Sequence, residues 1–174
     1  MAVTAIVTTA GLSELTNAVN SALTVNLTEI AVGDGTWATP ADTTATALQN
    51  EVLRFAIDQW QQVGTDSIKL ASSICDNSEF AVTEAGIFTA TNTLFAIWQR
   101  NDPPLLFKSV EVSDLLISLT LSVAGLPANS ITIVDSGSKL NLILDMVLLE
   151  INTNQMRQQA DIFNLSRRLK LADL

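Results

Sequence analysis

Asp114-Leu115-Leu116-Ile117-Ser118-Leu119-Thr120-Leu121-Ser122-Val123-Ala124 is the stretch that sets the fold class. Leu115, Ile117, Leu119, Leu121 and Val123 fall on every second position, with Ser118, Thr120 and Ser122 between them. A period of two is the pleat of a strand with one face on a core and the other toward water. A helix would need the apolar residues three and four apart, so this segment is read as a strand.

The same pattern extends outward in both directions. Upstream, Val3–Val7, Val25–Val32, Glu51–Trp60, Ile68–Ile74, Phe80–Phe88 and Leu94–Trp98 read as strands, and Ile131–Val134 follows downstream. Thr91-Asn92-Thr93 joins two of them as a hairpin. Asn101-Asp102-Pro103-Pro104 is a loop, because consecutive prolines cannot sit inside a ladder. Between the first two strands, Leu12, Leu15, Val19 and Leu23 share a helical face, with Thr9 as the expected cap. Gly33-Asp34-Gly35 reads as a turn. It lacks the further ligands of a calcium loop and the lysine of a phosphate loop.

After Ser136-Gly137-Ser138, with Ser138 as cap, the period changes. Leu144, Leu148, Ile151, Gln155, Gln158, Ile162, Leu165, Leu169 and Ala172 follow steps of four and three. That spacing keeps one seam of a helix facing a partner helix. Polar layers at Gln155 and Gln158 would fix register and oligomer state. Leu140–Ile151 is apolar on all sides, interrupted by Asp145 and Glu150, and too short to span a bilayer. A competing reading folds this helix back onto the head.

The charge divides at the same point. Residues 1–137 carry four basic residues against fourteen acids, and residues 138–174 carry five against four, within a chain of net charge −9. An acidic head disfavours a phosphate backbone, so no nucleic-acid partner is expected. The first residues lack a secretion signal, and no membrane insertion is expected. The single cysteine, Cys75, reads as a buried small hydrophobe. The expected fold class is α+β. An antiparallel-rich β head over 1–137 with one early helix precedes a helical oligomerisation stem over 138–174.

Catalysis finds little support. The chain has no histidine, which excludes histidine-based triads and the commonest metal sites. No acid pair stands out for glycoside hydrolysis. Trp37, Trp60 and Trp98 read as core or interface anchors before they read as a sugar cleft. Glu84 shares strand parity with Phe80, Val82 and Phe88, and a carboxylate there needs a partner. Arg54 is the natural candidate, giving an expected structural ion pair Arg54–Glu84. Neither an enzyme nor a cofactor is expected.

Ordered fragments across residues 3–134 carry a resemblance. They are Ile6-Val7-Thr8-Thr9-Ala10-Gly11, Ile30-Ala31-Val32-Gly33-Asp34-Gly35 and Leu48-Gln49-Asn50-Glu51-Val52-Leu53-Arg54. Val82-Thr83-Glu84-Ala85-Gly86-Ile87-Phe88, Thr93-Leu94-Phe95-Ala96-Ile97, Ser113-Asp114-Leu115-Leu116-Ile117-Ser118-Leu119 and Ile131-Thr132-Ile133-Val134 complete the set. The chain resembles the amino-terminal domain of the tail-collar fibre family of contractile-tailed phages. That resemblance implies a virion protein, made in the host cytoplasm, that attaches to baseplate wedge proteins. It also implies a homotrimer, the state of the fibres it resembles, with a distal fibre or receptor-binding protein beyond. Receptor-binding parts of such fibres lie far downstream, and here the chain stops after the helix, so a short fibre or adaptor is expected. The runner-up is a host-surface carbohydrate- or receptor-binding module, which requires an exposed aromatic platform near Trp37 or Trp98.

Overall fold

The computed structural model describes residues 5–39, 42–109, 114–127 and 129–137. All fall within residues 1–140, the first of two units into which the chain divides. The expected stem, with Leu144, Leu148, Ile151, Gln155, Gln158, Ile162, Leu165 and Leu169, lies outside the described residues. So do the boundary cap Ser138 and the side chain of Cys75.

The elements run β1 (Ile6–Val7), α1 (Thr9–Asn20), β2 (Val25–Gly33), β3 (Glu51–Ala56), β4 (Gln59–Gln62) and β5 (Ser67–Cys75). They continue as β6 (Phe80–Val82), β7 (Glu84–Thr89), β8 (Leu94–Gln99), β9 (Leu106–Lys108), β10 (Asp114–Ser122) and β11 (Ile131–Ile133). The β-rich head with one early helix is as expected. Six strands form the main sheet in the order β1-β8-β7-β2-β11, with β3 also paired to β2. A second sheet orders β10-β5-β4, and β6 pairs with β9. Every pairing is antiparallel except β11 on β2, which is parallel.

The stretch that set the fold class pairs with β5 over its whole length, from Asp114 opposite Cys75 to Ser122 opposite Ser67. Its alternation has the expected consequence: Ile117, Leu119 and Leu121 are buried, while Thr120 and Ser122 are exposed. These residues join Val25, Leu27, Ile30 and Val32 of β2, Ala85 and Ile87 of β7, and Leu15 of α1 in the main core. A second, smaller cluster of Ala31, Leu48, Phe88, Leu94 and Ile97 packs with Trp37 and Ala45 from the long β2–β3 connection. The main sheet is therefore covered on both faces around β2 and β7, which explains why all six residues of β7 are buried.

Two expected strands are each broken in two. Glu51–Trp60 divides at Ile57-Asp58, where the chain leaves the main sheet (β3) for the second one (β4). Phe80–Phe88 divides at Thr83, between β6 and β7. The side-chain pattern continues through both breaks, because Ile57 and Val82 stay fully buried while the backbone changes sheet. The short strand β9 was not expected.

Helix α1 also differs in detail. Its cap is Thr8, not Thr9: the Thr8 hydroxyl accepts from the Gly11 N–H at 2.9 Å and donates to the Leu94 carbonyl. Leu12, Leu15, Val19 and Leu23 do not share one buried face. Leu15 is in the core, whereas the other three are exposed. The helix lies against β8 along Gly11, where an added Cβ would sit 2.8 Å from the Phe95 Cα and carbonyl oxygen. That approach turns the Gly11–Leu15–Ala18 edge inward and leaves Leu12 and Val19 outward.

Candidate functional site

Strand β7 opens with Glu84, opposite Gly33 of β2 on one side and Gln99 of β8 on the other. Its side chain is fully buried. A carboxylate so placed must find hydrogen-bond donors. It has three. The Trp37 indole Nε1–H donates to Oε2 at 2.6 Å, the Gln49 backbone N–H to Oε2 at 3.0 Å, and the Asn50 backbone N–H to Oε1 at 2.8 Å.

These donors all come from the long connection between β2 and β3, so one carboxylate fastens both ends of that loop to the sheet. Gly33 and Gly35 make room for it. A Cβ on Gly33 would lie 2.7 Å from Glu84 Oε1, and one on Gly35 would overlap Oε1 and lie 2.5 Å from the Gln49 Cβ. Neither glycine has a positive φ, unlike Gly64, Gly125 and Gly137. Gly33-Asp34-Gly35 is thus a place of close approach around a buried acid, rather than a turn requiring left-handed backbone.

Neighbouring bonds complete the cradle. The Thr83 hydroxyl donates to the Gly35 carbonyl at 2.7 Å, and the Thr83 N–H to the Gly33 carbonyl at 3.0 Å. Asn50 Nδ2 donates to Asp34 Oδ1 at 2.6 Å. Asn101 brackets the Trp37 backbone, receiving its N–H at 3.4 Å and donating to its carbonyl at 2.8 Å.

The expected Arg54–Glu84 ion pair is corrected by this geometry. Arg54 grips Glu51 with two bonds, Nε to Oε1 at 2.8 Å and Nη2 to Oε2 at 2.7 Å, and reaches Glu29 at 3.4 Å. Its Nη1 also donates to the Asn92 side-chain carbonyl, and its guanidinium lies 3.7 Å above the centre of the Phe88 ring. The Glu51 carboxylate raises its pKa further above an already high value. The reason is register: Arg54 faces Ala31, which faces Gly86, whereas Glu84 faces Gly33. Arg54 therefore ties β3 to the β7–β8 turn, at the opposite end of β7 from Glu84.

A second carboxylate was not anticipated by sequence reasoning. Asp58, at the β3–β4 break, accepts at Oδ2 from the Ser73 N–H (2.9 Å), the Ser72 hydroxyl (2.9 Å) and the Ser73 hydroxyl (3.2 Å). Its Oδ1 accepts from the Ser136 hydroxyl at 2.8 Å. Burial pushes its pKa up, but the bonds from Ser73, Ser136 and Ser72 outweigh that and hold it below the ordinary value. The Ser136 N–H also donates to the Ile57 carbonyl at 2.7 Å. Asp58 thus ties Ser136, near the end of the described residues, to β5 of the second sheet.

Of the three tryptophans, Trp37 is half-buried and spent on Glu84, Trp98 is buried, and Trp60 is exposed. Neither Trp37 nor Trp98 offers the exposed platform that a carbohydrate module requires. Among the described residues, no group of three or more His, Cys, Asp and Glu side chains is placed to hold a metal ion. Glu84 is sealed from solvent with three donors on two oxygens. Its chemistry is that of a tie, and it has no route to a substrate.

Gln49 and Asn50 lie in one of the ordered fragments of the sequence, as do Gly33-Asp34-Gly35 and Thr83-Glu84. Nothing in their spacing says that all three fragments meet at one carboxylate. The family model described as phage tail-collar fibre protein, N-terminal, matches residues 1–151. No curated protein and no solved structure matches the chain.

Proposed function

The chain belongs to the phage tail-collar fibre family, and from that premise we propose that it is the subunit that attaches a fibre to the baseplate of a contractile tail. The family assignment makes it a structural tail-fibre protein, associated with the virion and assembled with other tail components. Baseplate wedge proteins would receive the head. Residues 138–174 would form a trimeric coiled coil, through which a distal fibre or receptor-binding protein is linked outward.

The observation that carries this reading is the match across the whole head, three of whose ordered fragments meet at Glu84. A loop fastened by a buried carboxylate presents a fixed surface for docking. The stoichiometry is carried by the heptad stripe Leu144, Leu148, Ile151, Gln155, Gln158, Ile162, Leu165 and Leu169. The purified chain, added to tail particles that lack it, tests the reading by electron microscopy. Threefold density at the baseplate perimeter is expected; density elsewhere on the tail, or none, would refute it.

A further inference from the structure

A groove of about 560 Å³ opens between the second sheet and the end of the main sheet, bordered by Trp60, Ile68, Val123, Leu126, Ile131 and Ile133. Its two walls are sheet edges. Strand β4 ends the order β10-β5-β4, and β11 ends the main sheet beside β2.

The backbone groups left unpaired among the described residues follow from the register. On β11, the Val25 N–H donates to the Ser130 carbonyl at 2.9 Å and the Val134 N–H to the Leu27 carbonyl at 3.0 Å. Bonding residues alternate in a parallel ladder, so 130, 132 and 134 face β2. The N–H and C=O of Ile131 and Ile133 then point away from it. On β4, the Val63 N–H donates to Ser67 at 2.8 Å, which places 63 and 61 against β5 and leaves the backbone of Trp60 and Gln62 outward. Natural edges are blunted by shortness, by lysine or by proline. These two are short, at three residues for β11 and four for β4, but β11 reads Ile-Thr-Ile and β4 reads Gln-Trp-Gln-Gln, with neither lysine nor proline.

We propose that this groove takes an extended segment of a partner protein, apolar at alternate positions and basic between them, which adds a strand to β11 and packs on Trp60. Strand addition gains main-chain hydrogen bonds from the edge and specificity from the side chains that alternate along it. Trp60, exposed at the groove, supplies the aromatic anchor. The charge of the segment follows from the head: Asp66 lines the groove with no Lys or Arg among the other described lining residues, and residues 1–137 hold four basic residues against fourteen acids. A sugar is disfavoured because the hydroxyls of Ser130 and Thr132 are engaged, by the Pro127 carbonyl and the Thr24 hydroxyl. This assignment does not depend on which tail component receives the head.

The test uses the full chain and a displayed library of segments of about ten residues, apolar at alternate positions with Lys or Ser between. Recovered peptides are expected to slow amide exchange at Ile131 and Ile133 and to shift Trp60 fluorescence. Trp60→Ala should weaken them by about tenfold. N-methylation of every second peptide amide on the pairing edge should abolish binding, since it removes donors and leaves the side chains. The proposal is overturned if no peptide is recovered, or if the N-methylated peptide binds as well. It is equally overturned if Ile131 and Ile133 are already protected in the chain alone, which would mean that its own residues or a second copy fill the groove. A glycan that binds through Trp60 while peptides do not would assign the groove to sugar instead.

Discussion

Glu84 and Asp58 are both carboxylates beside a strand break, and they are held in opposite ways. Glu84 follows the break at Thr83 and is fully buried, with an indole and two backbone amides as donors. Asp58 lies in the break between β3 and β4, is partly exposed, and is held mostly by serine hydroxyls. Water can replace a hydroxyl at a half-exposed acid; it does not reach the Glu84 carboxylate. The first site should therefore behave as a keystone and the second as a clasp that opens without unfolding the head.

The largest test of that contrast is Glu84→Ala, which takes the shared acceptor from three donors and empties its fully buried site. It is expected to cost about 3–5 kcal/mol in urea unfolding. A loss under about 1 kcal/mol would erase the distinction between keystone and clasp. Gly35→Ala pushes a Cβ into Glu84 Oε1 and the Gln49 Cβ, and about 2–3 kcal/mol should be lost without any hydrogen-bonding group being removed. Trp37→Phe keeps an aromatic ring but loses the pyrrole half of the indole with its donor, so about 1–2 kcal/mol is expected from the same melts.

Asp58→Asn should cost less, about 1 kcal/mol, because solvent takes over part of its bonding. Its signature is local: amide exchange at Ser136 should quicken while exchange in β7 stays unchanged. The pH dependence has a definite sign. Because Asp58 is held below the ordinary aspartate value of 3.8, its contribution is complete above that value and is lost as pH falls through the lower folded pKa. Unfolding midpoints measured downward from neutral pH should decline less steeply in Asp58→Asn. An identical slope would remove Asp58 as the source.

The comparison also separates what the sequence reveals from what it hides. The alternation of β10 gave its strand and its buried face, because burial of one face is written into every second residue; its partner β5 and their register are seen only in the structure. Both strand breaks were invisible for the same reason. Ile57 and Val82 remain buried as the backbone crosses between sheets, so the apolar pattern runs on unbroken. The need of Glu84 for a partner was legible, but the partner was not. Arg54 is the obvious charge to choose, whereas the donors are two main-chain amides and an indole. Main-chain donors leave no mark on residue identity. Gly33 and Gly35 were visible as glycines, yet only the structure shows that they yield space to a carboxylate.

In the function proposed above, residues 138–174 set the oligomeric state while the head keeps its fold without them. The solution mass of the full chain by light scattering, beside that of the chain ending at Gly137, decides this. A species of three times the 18.6 kDa chain mass, falling to a folded monomer on truncation, is the expected result. A monomeric full chain, or a trimer that survives truncation, would contradict it.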